Sequence, residues 1–197
     1  MKKVINIFIF LFIFCLYFVT FLMIYDNFRE RKLDSQEKNA LELFEKKIEK
    51  KKQEEKKEDK QIYTINYNGY TILGRIQVPK VGINTVILKE QTYSAMNLGA
   101  VVTYGVDLNE VGGTVISAHN FRGKTPFFYY ILNLKSGDVI KITDNSGVTM
   151  DYYVYEVNRR VSPNDVSYLT KTDDRHITLV TCENGGKSRI IVKARAK

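Results

Sequence analysis

The sequence predicts an all-β domain, a closed barrel or a sandwich, in the last two thirds of a 197-residue chain. Three observations lead there. Short runs rich in β-branched and aromatic residues recur at 74–78, 84–87, 113–117, 139–143, 149–157, 176–182 and 189–193. Period-two alternation is visible in Val139-Ile140-Lys141-Ile142 and in Tyr152-Tyr153-Val154-Tyr155. Turn-forming clusters separate the runs. Asp144-Asn145-Ser146-Gly147 closes one hairpin and Gly185-Gly186 another, each by residues that tolerate the backbone of a tight reversal. Helical turns are expected only in the connections, near 93–98, 126–132 and 163–169.

Ahead of the domain the composition changes twice. Residues 4–25 are almost wholly apolar, with Asn6 and Thr20 the strongly polar exceptions. Twenty-two residues suffice to cross a bilayer core of about 30 Å. A cleaved secretory signal would have a shorter apolar core and a small-x-small cleavage site, so a retained transmembrane anchor is expected, with residues 1–3 as a tip. Residues 26–61 read as a charged stalk; up to Lys60 it carries twelve Lys or Arg and eleven Asp or Glu. Leu33, Leu41, Phe44 and Ile48 form a sparse stripe at helical spacing, and Glu42 and Lys46 sit at i,i+4. No apolar residue then appears until Ile62, so the expectation is a solvated, partly helical spacer rather than a coiled coil. Residues 62–197 are expected to form one folded domain.

Charge and metal-ligand counts narrow the function. From 61 onward there are sixteen Lys or Arg against eleven Asp or Glu, but the positives are scattered. Without a dense basic stripe or a nucleic-acid motif, nucleic acid is not an expected partner. Two histidines and one cysteine in the domain make no zinc set, and no cofactor or metal is expected.

The domain's single cysteine carries the chemistry. Symmetric pairing about Gly185-Gly186 sets Cys182 opposite Arg189, with Cβ atoms about 5 Å apart in such a pair. A thiol beside a permanent cation is in the setting that favours a reactive thiolate. His176 shares the strand but lies six residues away, roughly 20 Å at the rise of an extended chain. His119, after the apolar run Gly113-Thr114-Val115-Ile116-Ser117, is therefore the candidate base by elimination. Its neighbour Asn120 is a poor candidate to orient the ring, because adjacent side chains rarely meet.

Thr178-Leu179-Val180-Thr181-Cys182 resembles the TLxTC motif of the sortases, cysteine transpeptidases of Gram-positive cell surfaces. The resemblance extends to the upstream histidine, to the arginine on the next strand, and to Leu73-Gly74-Arg75-Ile76-Gln77-Val78-Pro79-Lys80, which resembles the family's opening G-x-I-x-I-P strand. Asn97-Leu98-Gly99, Phe127-Phe128 and Leu134-Lys135-Ser136-Gly137-Asp138 resemble the segments flanking the histidine. It spans roughly 70–197 and selects the barrel, an eight-stranded sortase β-barrel with short helices in its loops.

The resemblance also implies an activity. Cys182 would attack a peptide carbonyl in an LPxTG-like sorting signal of a surface protein, between Thr and Gly, and hold the product as a thioester. An amine of the peptidoglycan precursor would resolve it. His119 would move the proton, Arg189 would stabilise the oxyanion or orient the substrate, and the Glu183 amide would serve the oxyanion. Substrate contacts are expected at Ala118, Val180 and Thr181, and at Ser167 and Leu169 in the loop before the cysteine strand. Localisation follows as a single-pass plasma-membrane protein with its N-terminus inside and its domain outside. A count of flanking basic residues alone, Lys2 and Lys3 against Arg29, Arg31, Lys32 and Lys38, points the other way. No glycine precedes His119, and no second span or DPF- or DPW-like lid is recognised, so a class D- or B-like enzyme is expected rather than a pilin-polymerising class C enzyme. The alternative is a membrane-anchored cysteine peptidase of the cell envelope.

Overall fold

The computed structural model describes residues 2–54, 64–120 and 127–197, with side chains at the two ends of the first segment left aside. One helix, α1 (Lys2–Glu54), is followed by nine strands. These are β1 (Ile65–Tyr67), β2 (Tyr70–Val78), β3 (Ile83–Leu88), β4 (Ala100–Gly105), β5 (Gly112–Ser117), β6 (Val139–Asp144), β7 (Thr149–Val161), β8 (Arg175–Glu183) and β9 (Ser188–Ala196). A one-turn helix, α2 (Tyr93–Met96), links β3 to β4.

The strands run in the order β1-β2-β3-β4-β5-β8-β9-β7-β6, and a β2–β6 pairing closes β2 to β9 into an eight-stranded barrel. β1 is an additional short strand on β2. Closure needs Gly74. A Cβ there would lie 2.4 Å from the Thr143 carbonyl oxygen and 2.7 Å from Leu108 Cδ1, so any larger residue would push β6 away from β2. Inside the barrel, Ile76, Ile87, Ile116, Phe128, Ile140, Tyr152, Leu179 and Val192 form one core. The Asp144–Gly147 hairpin closes as expected, with the Gly147 amide donating to the Asp144 carbonyl at 3.0 Å.

Two strands and one loop differ from the sequence reading. β4 is a further strand, and β1 enters the sheet through Asn68-Gly69, both at positive φ as a tight hairpin turn demands. Residues 163–169 form no helix. The Ser162 hydroxyl accepts from the Asn164 amide and the Asp165 carboxylate from the Ser167 amide, so side chains take up donors and leave two isolated turns. The segment 126–132 is a turn from 127 leading into a 3₁₀ turn at Ile131–Asn133; Pro126 lies outside the described residues.

The stalk is not a solvated spacer along its whole length. α1 is a single helix of 53 residues, about 80 Å long at 1.5 Å per residue. From Phe10 to Ile24 its apolar side chains are exposed, in a helix long and apolar enough to cross a membrane. Further on, Ala40, Phe44 and Ile48 recur every four residues and bury against Ile65, Ile72, Val86 and Leu88 on the outside of the barrel. Glu45 pairs with Arg75 at 2.7 Å, and Lys51 Nζ donates to the Ser146 carbonyl at 3.0 Å. The helix therefore covers one side of the sheet, which explains why β3 is buried on both faces from Thr85 to Leu88.

Candidate active site

Three neighbouring strands build the site. β8 and β9 are antiparallel, with Cys182 opposite Arg189 and Glu183 opposite Ser188. The register follows from the turn: Gly185 and Gly186 both have positive φ, and the Lys187 amide donates to the Asn184 carbonyl at 3.3 Å. On its other edge β8 runs parallel to β5, Ser117 pairing with Val180.

The pairing continues past the end of β5. The Ala118 amide donates to the Val180 carbonyl at 3.2 Å, and the Thr181 hydroxyl donates to the Ala118 carbonyl at 2.7 Å. Asn120 Nδ2 then donates to the carbonyl of Cys182. These bonds hold the chain after β5 against β8 and bring His119 level with Cys182. Arg189 lies level with them on β9, so the three form one row across the outer face of the barrel. The next row along is apolar: Val115, Val180 and Ile191 cluster together, with Val161, Tyr168 and Leu169 packed over them from β7 and its following loop.

The three groups differ in exposure. The Cys182 side chain is exposed, whereas His119 and Arg189 are half-buried. Burial pushes the His119 imidazole below its ordinary pKa, because the charged ring loses water. Tyr93 of α2 stands edge-on to this ring, their centroids 5.0 Å apart at 62°. The Arg189 guanidinium is steadied by the Gly186 and Ser188 carbonyls at 2.9 and 3.1 Å. His176 is at the other end of β8, where Nε2 pairs with the Tyr155 hydroxyl at 2.7 Å. No metal-binding group of His, Cys, Asp or Glu occurs among the described residues.

The Sortase domain family model matches residues 76–197, more than half of the chain and the whole of this row. The chain belongs to the sortase family. Among solved structures, this sortase resembles a Clostridium perfringens Sortase D5 transpeptidase, with TM-score 0.65 and 30% identity over 83% of this chain and 99% of that one. It is 29% identical to Sortase A of Listeria monocytogenes, over 60% of this chain and 52% of the relative. Against Sortase A of Bacillus anthracis identity is 30%, over 56% and 52%. The chain thus spans about half the length of both Sortase A relatives.

The other residues singled out from the sequence fall into two groups. Ala118 and Thr181 are buried in the joint between β5 and β8, and Val180 is in the apolar row below the cysteine. Ser167 is exposed and Leu169 half-buried in the β7–β8 loop. The Glu183 side chain is buried away from the cysteine, where it accepts from Arg159, the Arg160 amide and Ser188. Burial alone would raise its pKa, but those hydrogen bonds outweigh it and hold the carboxyl below its usual range. Two roles were missed in the sequence. Asn120 ties the histidine loop to the carbonyl of Cys182, and Tyr93 abuts His119 from α2. Both contacts are made across long sequence separations, so no local pattern marks them.

Proposed function

We propose that this sortase is a membrane-anchored cysteine transpeptidase of the cell envelope. The observation that carries the reading is the row of His119, Cys182 and Arg189 at the ends of three adjacent strands. Cys182 thiolate attacks the carbonyl of a peptide bond in an LPxTG-like sorting signal. His119 delivers a proton to the departing amine, leaving the acyl group as a thioester. A wall-precursor amine attacks the thioester carbonyl, gives its proton to His119, and expels the Cys182 thiolate. Arg189 stabilises the oxyanion or holds the substrate backbone, with the Glu183 amide as a second donor to the oxyanion. Val180, Ser167 and Leu169 shape the groove for the sorting signal, whereas Ala118 and Thr181, expected to touch substrate, are buried behind it in the joint between β5 and β8.

Residues 4–25 anchor the protein in the plasma membrane, the charged segment 26–61 joins the anchor to the domain and docks on it through Ala40, Phe44 and Ile48, and residues 62–197 perform the chemistry. With the N-terminus inside, the domain faces lipid-linked wall precursors. The likeness to a Sortase D5 transpeptidase supports a class D-like enzyme.

The test is partition of the acyl group. The protein is incubated with an LPxTG-like peptide, with and without a small amine, and the products are resolved by mass spectrometry. An amine-capped LPxT product supports transpeptidation. Exclusive hydrolysis at high amine concentration, with every acceptor tried, would replace it by the cysteine peptidase alternative.

A further inference from the structure

α2 touches two things at once. On one side Ala95, fully buried, joins the cluster that docks α1 through Ala40, Phe44 and Ile48, and Leu98 just beyond the turn joins it too. On the other side Tyr93 stands edge-on to His119 at 5.0 Å. The turn between them is fixed at its start, where the Thr92 hydroxyl accepts from the Ala95 amide at 3.1 Å. Tyr93 is otherwise 68% exposed, so the contact with His119 is not incidental to filling a core.

We propose that Tyr93 is a positioning residue for His119: its ring, packed at an angle against the imidazole, fixes the imidazole rotamer and shields that side from water, and α1 holds α2 in place to do so. The inference rests on the role given to His119 above. An edge-to-face aromatic contact restricts the partner ring, and a hydration shell stripped from one face disfavours the imidazolium. The direction agrees with the lowered pKa of His119, whose cause is burial. The titratable or charged groups that β8 and β9 bring level with the ring are Cys182 and Arg189; α2 brings Tyr93.

Only two histidines occur in the chain, so the imidazoles can be followed one by one. The full-length protein, labelled at histidine and held in detergent micelles, is titrated by NMR as wild type, Tyr93→Ala and Tyr93→Phe. Tyr93→Ala should raise the His119 midpoint by about 0.5 pH unit as water reaches the ring, while Tyr93→Phe, which keeps the ring edge, leaves it in place. His176 should not move in either variant. With an LPxTG-like peptide, Tyr93→Ala should lower kcat by about 3- to 10-fold at little change in KM, and Tyr93→Phe should stay within about twofold. Phe44→Ala, acting through α1, should shift the His119 midpoint in the same direction by less. An unmoved His119 midpoint in Tyr93→Ala would overturn the proposal, as would a loss confined to KM, which would make Tyr93 a substrate contact. His119→Ala in the same assay separates the two levels: if it retains activity, the role of His119 fails first.

Discussion

The Arg160 amide donates to Glu183 Oε2 at 2.9 Å, so the residue that follows Cys182 on β8 holds the backbone of β7, two strands away across β9. Arg160 sits at φ 55 where β7 loses register with β9, between Asn158 and Val161. The Arg159 guanidinium donates to the other oxygen at 2.9 Å, and Ser188 donates to Oε2 at 3.1 Å. One buried carboxylate therefore joins the cysteine turn to the entrance of the β7–β8 loop. Removing it leaves the buried Ser188 hydroxyl without this acceptor, which costs about 1–3 kcal/mol, and the part-buried Arg160 amide without its partner. Glu183→Ala should lower the denaturation midpoint and increase proteolysis within residues 158–170, with Glu183→Gln intermediate. Unchanged cleavage in that loop would count against the coupling.

The histidines should separate cleanly. General acid–base catalysis is worth about 10²–10⁴-fold, so His119→Ala should lose activity on that scale with peptide substrate. His176, tied to Tyr155 at the far end of β8, should affect stability alone. Steady-state rates of the two variants decide the matter; a large loss at His176 with His119 dispensable would reverse the assignment.

Folding stability should fall on mild acidification. Burial lowers the pKa of both His119 and His176, so the unfolded chain takes up protons more readily than the folded one. Their contribution is complete above the unfolded value near 6.5 and is lost as pH falls through the lower folded values. Urea midpoints at pH 7.5 and 5.5 should therefore differ, the lower pH being less stable, and His176→Gln should flatten the difference. A midpoint that rose between pH 7.5 and 5.5 would show the opposite linkage.

Docking of α1 gives a stability prediction of its own. Phe44 is 2% exposed in the helix–barrel contact, and truncating a buried phenylalanine costs about 3–5 kcal/mol. Phe44→Ala should speed amide exchange in both α1 and β3, whereas Leu11→Ala, in the exposed apolar stretch, should change neither. Protection of β3 that survives Phe44→Ala would mean that the helix lends the barrel no stability.

How much of this was legible in the sequence depends on the range of the contact. The Cys182–Arg189 pairing was readable because a two-glycine turn sets the register over a few residues. Most barrel strands are legible in alternation, but β1, beyond the Asn68-Gly69 turn, has only three residues and the Ala100-Val101-Val102 run does not alternate. Closure into a barrel rested on resemblance, since β2 and β6 are separated by some sixty residues and no local signal pairs them. The docking stripe was half seen. Phe44 and Ile48 were recognised at helical spacing, but Ala40 has little hydrophobic signal, and the receptive surface of Val86 and Leu88 exists only after folding. The helical turn expected at 163–169 does not form because the Ser162 and Asp165 side chains take up backbone donors, which a pattern of residue types does not reveal.

Arginine at 189 should not be replaceable by lysine. Arg189 has a planar fork of donors, one nitrogen of which, Nη1, is held by the Gly186 and Ser188 carbonyls. A lysine is a point charge on a flexible stem and has no such fork. Arg189→Lys should be nearly as impaired in kcat/KM as Arg189→Ala; a lysine variant within a few-fold of wild type would reduce the role of Arg189 to charge alone.

The central claim is a thioester on Cys182, and intact-protein mass spectrometry tests it most directly. The protein is mixed with an LPxTG-like peptide, quenched in acid within a turnover, and digested to locate any added mass. The adduct should equal the acyl fragment up to Thr, map to the peptide that contains Cys182, and disappear with hydroxylamine and in Cys182→Ala. Turnover of the peptide by Cys182→Ala, or an acyl group found on any other residue, would contradict the account.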